Sequence, residues 1–385
     1  MKKLAVIFLI MVMLSVAFLS NLFRVRLNRL KNRKDTGDLQ GRIDQSGEEY
    51  LKSNNGVGLV IGVVQRGNVY IQGYGRIRKE SDEKPDEMSL FELASVGKLF
   101  TAAALEVFTD RGDLSASDSI DQYLADVVKL PKTAQTTTLM QLATHTSGFP
   151  SIPDSLRRRM KDQKNPYKSL TKADLYEYLS TCQGKKRAGH YKYSNFGMGL
   201  LGHLFELKYK DTYENIIKKE ICTQLDMENT TITLNESQQK LLAQGYDAKG
   251  APNPVWEDYV LTGAGSFLSN AEDMVKFIKA NLYEEKTTLS ASLFKTHVRQ
   301  MNGKTGLGWH FPMLGERLLG LNDIIWHNGM AGGYSSYIAI DKEDETGIII
   351  LSNTACDVRA LGVKILLYAR NISLNNESVS GIGES

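Results

Sequence analysis

Val57-Gly58-Leu59-Val60-Ile61-Gly62-Val63-Val64-Gln65, then Arg66-Gly67-Asn68, then Val69-Tyr70-Ile71-Gln72-Gly73-Tyr74-Gly75, carries the strongest strand signal in the chain and sets its architecture. Two β-branched, apolar runs joined across so short a polar link read as a β-hairpin with a Gly-Asn turn. The next comparable strand signals are far away, at Tyr334 to Ile340 and Gly347 to Leu351, and a helical pattern from Val358 to Arg370 comes after them. An amphipathic stretch ending near Asn55 precedes the first pair. Most segments between the two pairs carry a helical period, including Val96 to Thr109, Ala173 to Ser180, Gly197 to Leu207, Tyr213 to Cys222 and Ala271 to Asn281. Strands at both ends with helices between predict an α/β chain of the α+β type. Its antiparallel sheet is built from both chain ends and flanked by helices, and a mainly helical lobe is inserted. No internal repeat stands out.

The chain has 385 residues, 42% hydrophobic and 24% charged, which is ordinary for a globular protein. Its formal charge of +3 misleads, because residues 1–34 hold eight basic side chains and no acidic one. Beyond them 39 basic residues face 44 acidic ones, so the body is mildly acidic. A nucleic-acid binder needs a basic face on its folded part, and that class is excluded.

Residues 1–34 read as a signal peptide or an N-terminal membrane anchor with a basic flank. The apolar run from Leu4 to Leu19 is intermediate between a secretory core and a membrane span. Ser15 and Ala17 would suit cleavage, whereas the apolar character resuming at Leu22 and Phe23 favours an uncleaved anchor. Six basic residues from Arg24 to Lys34 would, by the positive-inside tendency, hold the downstream chain in the cytoplasm; a stretch lying on anionic head groups fits either side. Residues 35–370 then form the main domain, and 371–385 a polar tail expected to be disordered. Cys182, Cys222 and Cys356 are sparse and odd in number, so they read as small apolar fillers, not as a disulfide framework. The six histidines contain no HxH or HExxH pair, which leaves a metal site without local support.

Ser95-Val96-Gly97-Lys98 has the form SxxK and heads the apolar segment from Leu99 to Phe108. On a helix, residues three apart share a face, so the Lys98 amine lies within reach of the Ser95 hydroxyl. A serine hydroxyl is a poor nucleophile until a base takes its proton, and a desolvated lysine can serve. The motif is cheap: Ser169-Leu170-Thr171-Lys172 and Ser292-Leu293-Phe294-Lys295 match it too. The first is better read as a helix cap, Thr171 with Asp174, and the second lies in an ordinary amphipathic segment. Tyr193-Ser194-Asn195 supplies a phenol able to relay a proton and an amide able to hold a substrate carbonyl; Tyr213-Glu214-Asn215 matches as well, without the glycine-studded helix start that follows Asn195. His327-Asn328-Gly329, followed by Met330 and the distal strand pair, offers a polar side chain at a strand edge and a glycine beside it. Lys304-Thr305-Gly306 is rejected for this place because no paired strand follows it. His145 reads as structural, and Arg111-Gly112-Asp113 as a glycine helix stop.

The order and spacing of SVGK, YSN and HNG, 98 residues from Ser95 to Tyr193 and 134 from Tyr193 to His327, resemble the class C β-lactamase and DD-peptidase superfamily. Leu142 to Pro150 (LATHTSGFP) and Gly263 to Asp273 resemble two further segments of that family, and the likeness covers about residues 40–370. The resemblance implies a β-lactamase/transpeptidase-like fold and a cofactor-free serine hydrolase working outside the cytoplasm. Ser95 would be acylated, with Lys98 and Tyr193 as its base system. Asn195 would bind the acyl side chain's amide, His327 would stand in the third-motif position with Gly329, and the backbone N–H groups of Ser95 and Met330 would form the oxyanion hole.

Two departures matter. Histidine replaces the usual lysine, weakening the grip on a substrate carboxylate, and Asn328 removes the usual hydroxyl. Both favour D-amino-acid peptides, amides or esters as substrates over β-lactams. β-Lactamase activity is one alternative; a non-catalytic sensor of penicillins or wall peptides is another, to which the retained nucleophile and base are unsuited.

Overall fold

The computed structural model describes residues 38–182, 188–257, 260–283, 287, 289–300 and 303–374. The expected N-terminal anchor lies outside them, as does the tail beyond residue 374. Among the described residues no helix is long and apolar enough to cross a membrane.

Helix α1 (Leu39–Ser53) is capped by Asp38, whose side chain accepts from the Gln40 N–H, and it buries Leu39, Ile43, Gly47 and Tyr50 on one face. The hairpin comes next as β1 (Gly58–Gln65) and β2 (Asn68–Gly75). Asn68 pairs with Gln65 and belongs to the strand, so the turn is Arg66-Gly67 and not the expected Gly-Asn. Both turn residues have positive φ, 48° and 87°, the backbone that matches the twist of a two-residue hairpin. A short ribbon of β3 (Phe91–Glu92) and β4 (Leu268–Ser269) stands apart from the main sheet. The chain closes with β5 (Ile324–Met330), β6 (Ser335–Asp341) and β7 (Thr346–Ser352). The main sheet runs β2-β1-β7-β6-β5, every pair antiparallel, and β1 sits between its own hairpin partner and the far end of the chain.

Strands β1, β6 and β7 are buried along their whole length, which explains why they read as continuous apolar runs and not as alternation. One face is covered by α1 and the C-terminal helix Arg359–Ala369, through Leu39, Ile43, Leu361, Ile365 and Leu366. Against the other face lies helix Ala271–Leu282, begun by an Asn270 cap on the Asp273 N–H, with Val275 and Ile278 turned inward. Removing each such aliphatic side chain from water contributes about 1.5–3 kcal/mol.

The helical lobe is inserted in the chain between the hairpin and the three closing strands. Helix α2 (Lys98–Arg111) is buried nearly all round, and Phe100 meets Phe267 and Phe277 edge-on at 5.3 and 5.1 Å. It ends at Gly112, left-handed at φ 76°, so Arg111-Gly112-Asp113 is the helix stop its glycine suggests. Thr171 and Asp174 form the expected capping box at the head of helix Lys172–Thr181. At the far end of the described residues Leu374 is buried and its N–H donates to Gln65 Oε1.

Candidate active site

The nucleophile turn is built where β3 enters α2. Ala94 adopts φ 47°, a backbone that costs a non-glycine residue about 1–2 kcal/mol, and the chain then makes one 3-10 turn, Ala94–Gly97. Ser95 therefore sits on a tight turn, and Lys98 is the first residue of the α-helix proper. Two glycines hold the strained turn in place. A Cβ at Gly265 would lie 2.1 Å from the Ala94 carbonyl oxygen, and one at Gly329 would lie 2.2 Å from the Leu93 carbonyl oxygen. Gly329 thus makes room for the protein's own backbone. Ser336 Oγ donates to the Leu93 carbonyl at 2.6 Å and ties β6 to the same turn.

Lys98 is wholly buried, and its Nζ donates to Ser95 Oγ at 2.8 Å and to the Ala264 carbonyl. Tyr193 also interacts with Ser95 through its side chain; burial raises its phenol pKa, and the hydrogen bond to Ser95 partly offsets this. The Lys98 ammonium nitrogen lies 5.1 Å from the centre of the Tyr193 ring. Ser194 places that tyrosine by capping helix Asn195–Tyr209, its Oγ accepting the Gly197 N–H at 2.8 Å. His145 supports the same segment: its Nδ1 accepts the Ser194 N–H at 3.2 Å, its carbonyl accepts the Lys192 N–H, and its ring packs 4.5 Å from Tyr193. This agrees with a structural role for His145.

Asn195 opens the helix with its Oδ1 buried and without a partner among the described residues, and it lines the space beside Ser95. His327 is buried on β5, its Nδ1 against the Asn328 carbonyl at 2.8 Å and its Nε2 without a partner among the described residues. Burial, His310 and Lys98 together hold its pKa well below the usual histidine value, so it is neutral at pH 7. Asn328 and Met330 line the space over Ser95.

The site also contains residues the sequence did not single out. His310 stacks at 4.7 Å on His327 and lies 6.0 Å from Tyr193; burial, then Lys98 and Arg359, push its pKa down to about 4. Its position results from backbone bridges to Thr305 and Trp326, which no local pattern announces. Lys304, set aside as a third-motif candidate, is off the strand but reaches the rim of the same groove.

Two hollows flank Ser95. One, about 410 Å³ with its mouth, is walled by Glu92, Tyr167, Asn195 and Trp256. The other, about 1450 Å³, is an open groove walled by Tyr191, Phe311, Leu314, Trp326 and Met330. A hydroxyl between an amine and a phenol, open to a hollow on each side, can attack a carbonyl whose two substituents lie in the two hollows.

A profile of the family described as Beta-lactamase matches residues 43–366. The chain is 25% identical over 354 residues to a beta-lactamase of Pseudomonas fluorescens, covering 82% of this chain and 94% of that one. Among solved structures it is similar to a class C beta-lactamase (TM-score 0.76, 23% identity, 89% of this chain and 99% of that one). It is also similar to a beta-lactamase/D-alanine carboxypeptidase from Pseudomonas syringae (TM-score 0.74, 22% identity, 86% and 98%). The fold expected from the sequence is the fold these structures share.

Proposed function

Because the chain belongs to the beta-lactamase family of serine hydrolases, we propose that it cleaves D-amino-acid peptides, amides or esters through an acyl-enzyme on Ser95. The observation that carries this is the Lys98 Nζ 2.8 Å from Ser95 Oγ, with Tyr193 hydrogen-bonded to the same residue. Ser95 Oγ attacks the substrate carbonyl as its proton passes to the Lys98 and Tyr193 pair. The backbone N–H groups of Ser95 and Met330 receive the developing oxyanion. Tyr193 returns the proton to the departing amine or alcohol, and water, activated by the same pair, releases the acid. Asn195 holds the acyl part.

The substrate class rests on His327. β-Lactams and D-alanyl-D-alanine ends both present a carboxylate, which a neutral, buried imidazole attracts far less than a lysine ammonium does. Substrates whose leaving group lacks that charge suit the apolar groove better. The names of the relatives favour β-lactamase activity as the second reading.

Incubation with fluorescent penicillin, a chromogenic cephalosporin and D-alanine p-nitroanilide, with Ser95→Ala as control, separates the readings. Turnover of the anilide with little cephalosporin hydrolysis is expected. Rapid cephalosporin turnover establishes the second reading, and absence of any Ser95-dependent reaction leaves a sensor. We place the domain outside the cytoplasm, held by residues 1–34. An alkaline-phosphatase fusion after Lys34 that stays inactive overturns that placement.

A further inference from the structure

Beside Ser95, on the side opposite the apolar groove, a carboxyl group stands where the acyl-transfer chemistry has no use for it. Glu92 belongs to β3, pairs with Leu268 in the small ribbon, and is 2% exposed. The Trp256 backbone N–H donates to its Oε2 at 3.2 Å, and its side chain forms a wall of the small hollow that also contains Ser95 and Asn195. Asn195 Oδ1, buried and without a partner among the described residues, belongs to the lining of the same hollow. Burying a carboxyl group is costly unless a partner or a proton compensates it, and leaving an amide oxygen without a donor adds to the cost. The lining of the hollow thus includes two acceptors, an ionisable carboxyl group and a carbonyl-type oxygen. Glu92 lies three residues before the nucleophile and Asn195 two residues after the catalytic tyrosine.

We infer that this hollow selects acyl groups bearing a free ammonium, the α-amine of an unblocked D-amino acid, which Glu92 meets by charge and Asn195 Oδ1 by a hydrogen bond. The inference rests on the acyl-enzyme reading and names the substrate class within it. An ammonium brings a positive charge and three N–H donors to these acceptors, whereas an acylated amine brings one N–H and no charge. Burial pushes the Glu92 carboxyl up to about 8; an ammonium entering beside it favours the ionised form, and the proton it gives up leaves to solvent. Glu92 is accordingly a specificity residue, and the bond-breaking remains with Ser95, Lys98 and Tyr193.

The test compares kcat/KM for D-alanine p-nitroanilide, its N-acetyl derivative and the D-lactate analogue, in which a hydroxyl replaces the amine. Wild-type enzyme is expected to prefer the free amine at least 10-fold over both, and Glu92→Gln, which keeps shape and removes charge, to collapse that ratio towards 1, chiefly through KM. Equal rates on the three wild-type reactions, or a preference for the N-acetyl compound, overturn the proposal even where the variant fails to fold. An undiminished ratio in folded Glu92→Gln overturns it too. Labelling of Ser95 by a fluorophosphonate separates the two levels of failure. If Ser95 labels and no ammonium preference exists, only this inference falls; if Ser95→Ala labels as well as wild type, the acyl-enzyme reading falls with it.

Discussion

Lys98 is the residue whose surroundings decide the chemistry, since a wholly buried amine is costly to hold and this one donates to Ser95 Oγ as well as to the Ala264 carbonyl. Lys98→Met is expected to slow fluorophosphonate labelling of Ser95 at least 1000-fold, on the order of a lost general base, with circular dichroism unchanged. His327→Lys asks the converse question at the third motif. It is expected to lower Tm by several degrees, because a cation enters a space shared with Lys98 and His310, and to raise kcat/KM for a carboxylate-bearing cephalosporin about 10-fold. The histidines also set a pH dependence whose sign is fixed. His310 is pushed down to about 4 and His327 and His145 well below the ordinary value, so the unfolded chain binds protons that the native one refuses. Their contribution to stability is present above about 6.5 and is lost as pH falls from there towards 4. Calorimetry is expected to show Tm falling across that window, with a shallower slope in His310→Gln. Ser95, Lys98 and Tyr193 were legible because SxxK and YxN are short-range patterns. His310 and Glu92 were not, because what brings them to Ser95 is a backbone bridge in one case and the β3 ribbon in the other.

The nucleophile turn shows how much an element's position depends on what presses against it. Helix α2 announced itself by its apolar period, and the structure begins it at Lys98, two residues after the expected start, with Ser95 on the 3-10 turn before it. Ala94 can hold φ 47° because Gly265 and Gly329 leave no Cβ in the way. Gly265→Ala is expected to push the Ala94 carbonyl aside, since the new atom would lie 2.1 Å from that oxygen, and to cut the Ser95 labelling rate at least 100-fold together with a lowered Tm. Gly112→Ala provides the control. Its φ is 76° but nothing lies within 4 Å of the added carbon, so it is expected to cost about 1–2 kcal/mol by thermal melts and to leave labelling intact. Sequence pattern located both glycine-containing segments and could not rank them, because the difference lies in which atoms the fold brings near.

Taken as one body, the molecule is closed by its sheet as by a clasp: β1 from the beginning of the chain lies between β2 and β7, and the C-terminal helix lies beside α1 on one face. That face is a separate cluster from the one holding Val96 and the helical lobe. Ile365→Ala, truncating a fully buried side chain there, is expected to cost about 2–5 kcal/mol in denaturant melts while kcat/KM stays within 2-fold of wild type. Strands, helices, the sheet drawn from both ends and the three short motifs could all be read along the chain, because hydrophobic period and local spacing are carried by neighbouring residues. The neutrality of His327, the presence of His310 and Glu92 in the site, and the opening of Ser95 onto one polar and one apolar hollow emerge only once the chain is folded. Protonation and pocket shape depend on burial and on contacts between segments far apart in sequence, 243 residues in the Ser336–Leu93 bond, and no window along a chain contains those.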